Sequence, residues 1–317
     1  MEEKNISIKA SADDLNLSVL YIAPENNPKA IVQIVHGMCE HKERYTGFMH
    51  FLAENGYACV IHDHRGHGAS VKSSDDLGYF YDGGFSAMVD DVHIVTRWAK
   101  EQWKGLPLIL FGHSMGSMVV RSYSKRYDYE LSGLFVCGSP SRNPAAGIGK
   151  LLAGLAGLFG GQRSRPRLIQ KIAFGSFNSR IKNPVSPNSW ICSDPEIVSA
   201  YDANPLCNYQ FTANGFRNLF SLMQDTYSRR GWKMSNPDMP IRFIAGENDP
   251  CIAGIDNFDK AVEFMREAGY RNVTSISYPG MRHEILNEIG KEIVWNDILA
   301  TMEKWLSGDL HPMFICL

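Results

Sequence analysis

No stretch of the chain offers the ~18 consecutive apolar residues that a membrane span requires. No Lys/Arg-rich block occurs either, and the formal net charge of the 317 residues is only −2. Nucleic acid is therefore not an expected partner. The opening residues Met1-Glu2-Glu3-Lys4-Asn5 are acidic and polar, without the apolar segment of a secretory leader. The seven cysteines (Cys39, Cys59, Cys137, Cys192, Cys207, Cys251, Cys316) are odd in number and form no Cys-x-x-Cys pair. That argues against a disulfide framework and against a zinc site, and for reduced thiols in a cytoplasmic protein. Internal repeats and low-complexity tracts are absent as well.

What remains is an ordinary globular composition, 44% apolar and 21% charged. The length suits one large domain or a domain with an insertion. Two alternating segments, Ile6–Ile8 and Leu15–Tyr21, predict half-buried antiparallel strands. Near-continuous apolar runs then follow at Ala30–Val35, Tyr57–Ile61, Leu106–Phe111 and Leu134–Cys137, as expected of strands buried on both faces. Helical patterns alternate with them at about Arg44–Glu54, Phe85–Gln102 and Ser114–Tyr127. The rhythm predicts an α/β fold with a mostly parallel sheet and helices on both faces. It breaks at residue 140 and resumes near 232. Strands are then expected at Ile241–Ala245 and Val273–Tyr278, and helices at Phe258–Ala268 and about Glu284–Leu306. The expected organisation is a core of residues 1–139 and 232–317 with an inserted helical cap, 140–231, after the sixth strand. Such an insertion projects over the carboxyl ends of the strands.

Gly112-His113-Ser114-Met115-Gly116 sits where the apolar run ends and a helix begins. That arrangement, Gly-x-Ser-x-Gly on a strand–turn–helix, is a nucleophile elbow, in which only small residues can flank the strained serine. A serine hydroxyl needs a base, and the base needs an orienting acid, in the chain order Ser, Asp/Glu, His. Asp249 follows the Ile241 strand and His283 follows the Val273 strand. Glu247 is the weaker candidate for the acid. His36, His62, His64, His67 and His113 precede the acid in sequence, and His311 lies past the last helix. Oxyanion donors are expected from the Met115 N–H, at a helix N-terminus, and from the Met38 N–H in His36-Gly37-Met38, where Gly37 permits close approach.

Several motifs together are similar to the monoacylglycerol lipase and bacterial lysophospholipase (serine aminopeptidase) branch of the α/β-hydrolase fold. They are His36-Gly37-Met38-Cys39-Glu40-His41 with Arg44-Tyr45, Asp63 to Ser70, Gly112 to Gly116 and His283 to Glu288. Trp190 to Asp194 and Tyr201 to Cys207 in the insertion resemble bacterial members. The resemblance implies a serine esterase acting on monoacylglycerol or lysophospholipid without metal or organic cofactor. It assigns Ser114, Asp249 and His283 as the triad and the Met38 and Met115 amides as the oxyanion hole, supported by His36, Gly37, Gly112, His113 and Gly116. Met38-Cys39 departs from the two small residues common there, which would narrow the acyl pocket. Small soluble esters, thioesters or amides are the alternative substrates, and a non-catalytic ligand-binding protein is the rival of another class. Asp63–Ser70 lacks the Lys-Ser/Thr ending of a phosphate loop and is expected to brace the oxyanion loop. Ile148–Phe159 is expected to be a cap helix that meets a lipid interface transiently or covers an acyl tunnel, or else to pack within the cap. Arg163, Arg165 and Arg167 are expected on a solvated face rather than against a lipid phosphate, and Cys251, two residues past Asp249, as a buried, inert cysteine rather than a thiol-sensitive one near the site.

Overall fold

The structure, a computed structural model, describes residues 1–308. Its strands are β1 (Glu2–Lys9), β2 (Asn16–Ala23), β3 (Ala30–Val35), β4 (Tyr57–His62), β5 (Leu108–His113), β6 (Gly133–Cys137), β7 (Ile241–Gly246) and β8 (Val273–Tyr278). They form one sheet in the order β1-β2-β4-β3-β5-β6-β7-β8. The β1–β2 and β2–β4 pairs are antiparallel and the rest are parallel. The apolar runs are continuous because each side of the sheet is covered. Ile31, Val35, Leu108 and Leu110 enter one core, whereas Val32, Ile34, Ile109 and Phe111 enter the other.

The helices are α1 (Thr46–Glu54), α2 (Gly84–Gln102), α3 (Met115–Tyr127), α4 (Ala146–Gly160), α5 (Arg167–Phe174), α6 (Pro195–Ala203), α7 (Ala213–Thr226), α8 (Ile255–Ala268) and α9 (Lys291–Ser307). The core containing Ile31 and Leu108 is closed by α2, α3 and α8, and the opposite core by α1 and α9. Between β6 and β7 lie α4 to α7. Asp194 caps α6 by accepting from Glu196 N at 2.9 Å, with Pro195 in the first turn, and Thr212 caps α7 by accepting from Gly215 N at 3.1 Å.

From β3 the chain steps to β4 on one side, then crosses back to β5 on the other. Their carboxyl ends therefore part at a topological switch point. Register brings Val35 opposite Gly112 and His113 opposite Cys137, so the loops after β3, β5 and β6 leave the sheet level with one another.

The last helix differs from expectation. It starts at Lys291, not Glu284, behind Gly290 in the left-handed region (φ 80°). Residues 284–288 use their side chains elsewhere. Glu284 binds Arg44, and Glu288 accepts the amides of Arg282 (2.8 Å) and Ser193 (2.9 Å). The helical periodicity there belongs to a hydrogen-bonded turn.

Candidate active site

Ser114 lies between β5 and α3 with φ 54° and ψ −118°. A non-glycine residue so placed stores roughly 1–3 kcal/mol of strain. Its neighbours impose that conformation. Ser114 N donates to Cys137 O at 2.9 Å, and its carbonyl accepts from Ser117 N (3.0 Å) and Ser117 Oγ (2.6 Å). Gly116 is obligatory, because a Cβ there would lie 2.1 Å from the Val35 carbonyl oxygen. At Gly112 a Cβ would lie 2.5 Å from the Gly116 carbonyl oxygen. The half-buried serine lines the floor of a cavity shared with His283.

Asp249, buried after β7, meets His283, buried after β8, with Oδ2 2.9 Å from Nδ1. Its Oδ1 accepts the Cys251 amide at 2.8 Å. The carboxylate thus requires a proton on Nδ1 and leaves Nε2 free to take one. Among the described residues, Ser114 Oγ and His283 Nε2 share the cavity without a hydrogen bond between them. Unliganded hydrolase sites often tighten this contact only with substrate. Glu247 is exposed and has no hydrogen bond to His283 among the described residues. His311 lies outside the described residues.

Cys251 differs from expectation: it is half-buried and lines the cavity, its Sγ 3.9 Å from His283 Nε2. Burial, reinforced by the Asp249 carboxylate, pushes its thiol well up. Asp249, Cys251 and His283 bring potential metal-ligand atoms within 4.8 Å of one another. Both Asp249 oxygens and His283 Nδ1 are already spent on the bonds above, so the grouping fits an acid–base pair better than a metal site.

The loop after β3 is fixed by histidines. His64 N donates to His36 Nε2 at 2.9 Å, which makes Nε2 an acceptor and leaves Nδ1 to donate to Gly37 O at 2.8 Å. Burial, with the nearby His67, holds His36 well below the usual range, in the neutral form this pattern needs. Gly37 lets the loop approach the serine: a Cβ there would lie 3.0 Å from Ser114 Cβ. Asp63 accepts Lys42 N (2.8 Å) and Ala69 N (2.9 Å), so the 63–70 stretch braces this loop. Among the described residues the Met38 and Met115 N–H groups have no protein acceptor. Both residues line the cavity beside Ser114.

A buried charged cluster supports the same loop, and motif spacing had assigned it no role. Arg44 forks onto Glu284 (2.6 Å and 2.6 Å) and also reaches Glu40 at 3.0 Å. Glu40 Oε1 accepts from Gly37 N and Tyr45 Oη (3.0 Å) and lies 3.2 Å from His113 Nδ1. Glu40 and Arg44 lie four residues apart, a spacing that favours pairing, but Glu284 and His113 reach the cluster from distant parts of the chain. The inserted segment docks onto the same elements. Asn204 donates to His41 Nε2 at 2.9 Å, Glu284 N donates to Ile191 O at 2.7 Å, and Arg282 donates to Ser189 O and Cys192 O.

Helices α4, α5 and α7 roof a cavity of about 650 Å³, lined by apolar side chains such as Leu152, Ile172, Phe177, Trp190, Leu219 and Phe220. Arg163, Arg165 and Arg167 are exposed, as expected, and the first two also have partners. Arg163 pairs with Asp76 at 2.8 Å over the Tyr79 ring, and Arg165 donates to Gln210 O and to Asp75 O (3.0 Å). On α4 only Ala146, Ala153 and Gly157 are buried; Ile148 and Leu152 line the cavity, and Leu151, Leu155, Leu158 and Phe159 are exposed.

The family model described as serine aminopeptidase, S33, matches residues 26–290. A mouse monoglyceride lipase is 32% identical over 94% of this chain and 88% of its own length. A Mycolicibacterium smegmatis monoacylglycerol lipase is 27% identical over 87% and 89%. A thermostable carboxyl esterase from Bacillus coagulans superposes with a TM-score of 0.89 at 28% identity, covering 96% of this chain and 99% of its own. The chain thus has the α/β-hydrolase fold and belongs to the serine aminopeptidase, S33, family.

Proposed function

We propose that this carboxylic ester hydrolase cleaves monoacylglycerol or lysophospholipid esters in two steps through an acyl-enzyme. His283 Nε2 removes the Ser114 proton as Oγ attacks the ester carbonyl, and Asp249 orients the ring and stabilises the imidazolium that forms. The Met38 and Met115 amides receive the oxyanion. His283 then protonates the departing alcohol, and water, activated by the same nitrogen, releases the acid. The scheme calls for no metal or organic cofactor, since base, acid and oxyanion donors all come from the chain. The 2.9 Å Asp249–His283 bond beside the strained Ser114 carries this reading. The lipid class is supported by the apolar cavity and by the names of the mouse and mycobacterial relatives. In this reading, residues 140–231 act as a cap that selects the acyl chain. The exposed Leu151, Leu155, Leu158 and Phe159 of α4, with Leu168 of α5, favour transient contact with a lipid surface. Among the described residues six cysteines are free, which suits the cytoplasm.

A substrate panel tests the proposal: monoacylglycerols, lysophospholipids and p-nitrophenyl esters of graded chain length. Turnover of medium or long acyl glycerols or lysolipids is expected to exceed that of acetyl and propionyl esters. Activity confined to the shortest acyl groups would favour a small soluble substrate instead.

A further inference from the structure

We propose that His113, the residue before the nucleophile, is a doubly protonated imidazolium that ties the oxyanion loop to the loop carrying His283. The proposal rests on the reading of Ser114 and His283 given above. It follows from which atoms the ring faces. His113 is buried, and its Nε2 lies 3.3 Å from the His283 carbonyl oxygen, which can only accept. Nε2 must therefore carry a proton. Its Nδ1 lies 3.2 Å from Glu40 Oε1 and 3.0 Å from Tyr45 Oη. Tyr45 has one proton, and the Glu40 carboxylate 3.0 Å away takes it. What Tyr45 Oη presents to Nδ1 is then a lone pair. Both ring nitrogens face acceptors, and an imidazole satisfies two acceptors only as the cation.

Glu40 is not the proton carrier. Its Oε1 already receives the Gly37 amide and the Tyr45 hydroxyl, and its Oε2 faces the Arg44 guanidinium at 3.0 Å. The charges also balance. Glu40 and Glu284 contribute two negative charges, and Arg44 with His113 two positive ones. A neutral His113 would leave the buried cluster one negative charge in excess. The groups facing His113 are Glu40, Arg44 and Tyr45 from the loop after β3, and His283 and Glu284 from the loop after β8. Burial alone would lower the His113 pKa, and the bond to Glu40 more than reverses this, in contrast to His36, His62, His64 and His67, which burial pushes down.

One ring thereby bridges three elements. Through Glu40 it reaches the Gly37 amide, one residue before the Met38 donor; through the chain it adjoins Ser114; through Nε2 it holds the His283 backbone, with the two imidazole centroids 4.7 Å apart. His113 is a positioning residue. Loss of its proton removes one of the two bridges and allows the oxyanion loop and the base loop to drift relative to each other.

The test is nitrogen-15 NMR of histidine-labelled wild-type protein, with the His113 resonances assigned by their loss in His113→Gln. Both ring nitrogens are expected to be protonated at pH 7, with titration above the ~6.5 of free histidine. In parallel, kcat is expected to fall on an alkaline limb at the His113 pKa. His113→Gln should lower kcat on the order of 10²-fold with KM little changed, as for a small misplacement of reacting groups. Glu40→Gln should move the alkaline limb down by about one pH unit or more. A wild-type spectrum with one unprotonated nitrogen at pH 7 overturns the proposal, and so does an alkaline limb that Glu40→Gln leaves in place. The spectrum needs no turnover, so its failure is separable from that of the catalytic reading. Fluorophosphonate capture of Ser114 in a protein with neutral His113 would overturn the present inference alone.

Discussion

Arg44 and Glu284 meet fork to fork, Nη1 to Oε1 and Nη2 to Oε2, each at 2.6 Å, across 240 residues of chain. The pair joins the loop after β3 to the loop bearing His283, and the Arg44 guanidinium also lies over the Tyr201 ring of α6 at 5.0 Å. The loop after β3, the loop bearing His283 and the inserted helices are thereby fastened at one point. Arg44→Leu strands two buried carboxylates, Glu40 and Glu284. Stability is expected to fall by about 3 kcal/mol, near the lower end for a broken buried pair, because Arg44 keeps some solvent contact. Calorimetry should show a Tm about 5 °C lower. An unchanged Tm would mean the pair contributes nothing net.

Asp249→Asn keeps the shape of the acid but no longer demands a proton on His283 Nδ1. The ring is then free to hold the wrong tautomer. A loss on the order of 10⁴-fold in kcat is expected, with the circular dichroism spectrum and Tm nearly unchanged. A loss below tenfold would remove Asp249 from the proposed triad.

Acid should destabilise the protein well before most carboxylates titrate. His67 is pushed down to about 4 and His62 to about 3, both by burial. Below pH ~6.5 the unfolded chain takes up protons at these positions and the folded chain does not, so stability falls as pH falls. Each residue costs about 1.4 kcal/mol per pH unit, or about 3 kcal/mol for His67 between pH ~6.5 and 4. His67→Gln should flatten this dependence by one proton in urea titrations at pH 4 to 7. Parallel curves for wild type and variant would contradict the assignment.

Cys251 offers a chemical probe of the base. Its Sγ lies 3.9 Å from His283 Nε2, and an added group there would displace substrate or the ring. Because burial raises the thiol pKa, little thiolate forms at neutral pH. Inactivation by N-ethylmaleimide is expected to be slow at pH 7 and to accelerate as pH rises. Cys251→Ser should abolish it. Equal inactivation of the variant would point to another cysteine.

The candidate triad was legible because its chemistry follows chain order. A Gly-flanked serine after one buried strand, an aspartate after another and a histidine after a third form a pattern that periodicity and motif spacing can locate. The near-continuous apolar runs likewise announced strands covered on both faces. What stayed hidden depends on contacts distant in sequence. Glu284 to Glu288 read as the start of a helix because their periodicity is helical, and only Arg44 and Ser193 divert them. Cys251 read as inert because its 3.9 Å approach to His283 arises from two separate loops. His113 was visible as a neighbour of the nucleophile, but its role depends on acceptors supplied by Glu40 and by the His283 carbonyl.

The central claim is that Ser114 is the nucleophile, and covalent capture tests it most directly. Folded wild-type protein and Ser114→Ala should be treated with a fluorophosphonate and analysed by intact-mass and peptide mass spectrometry. The account predicts one adduct per wild-type chain, mapped to Ser114, no adduct on the variant, and a loss of esterase activity on the order of 10⁶-fold in the variant. An unlabelled wild type, or a Ser114→Ala variant that still labels and turns over, would contradict it.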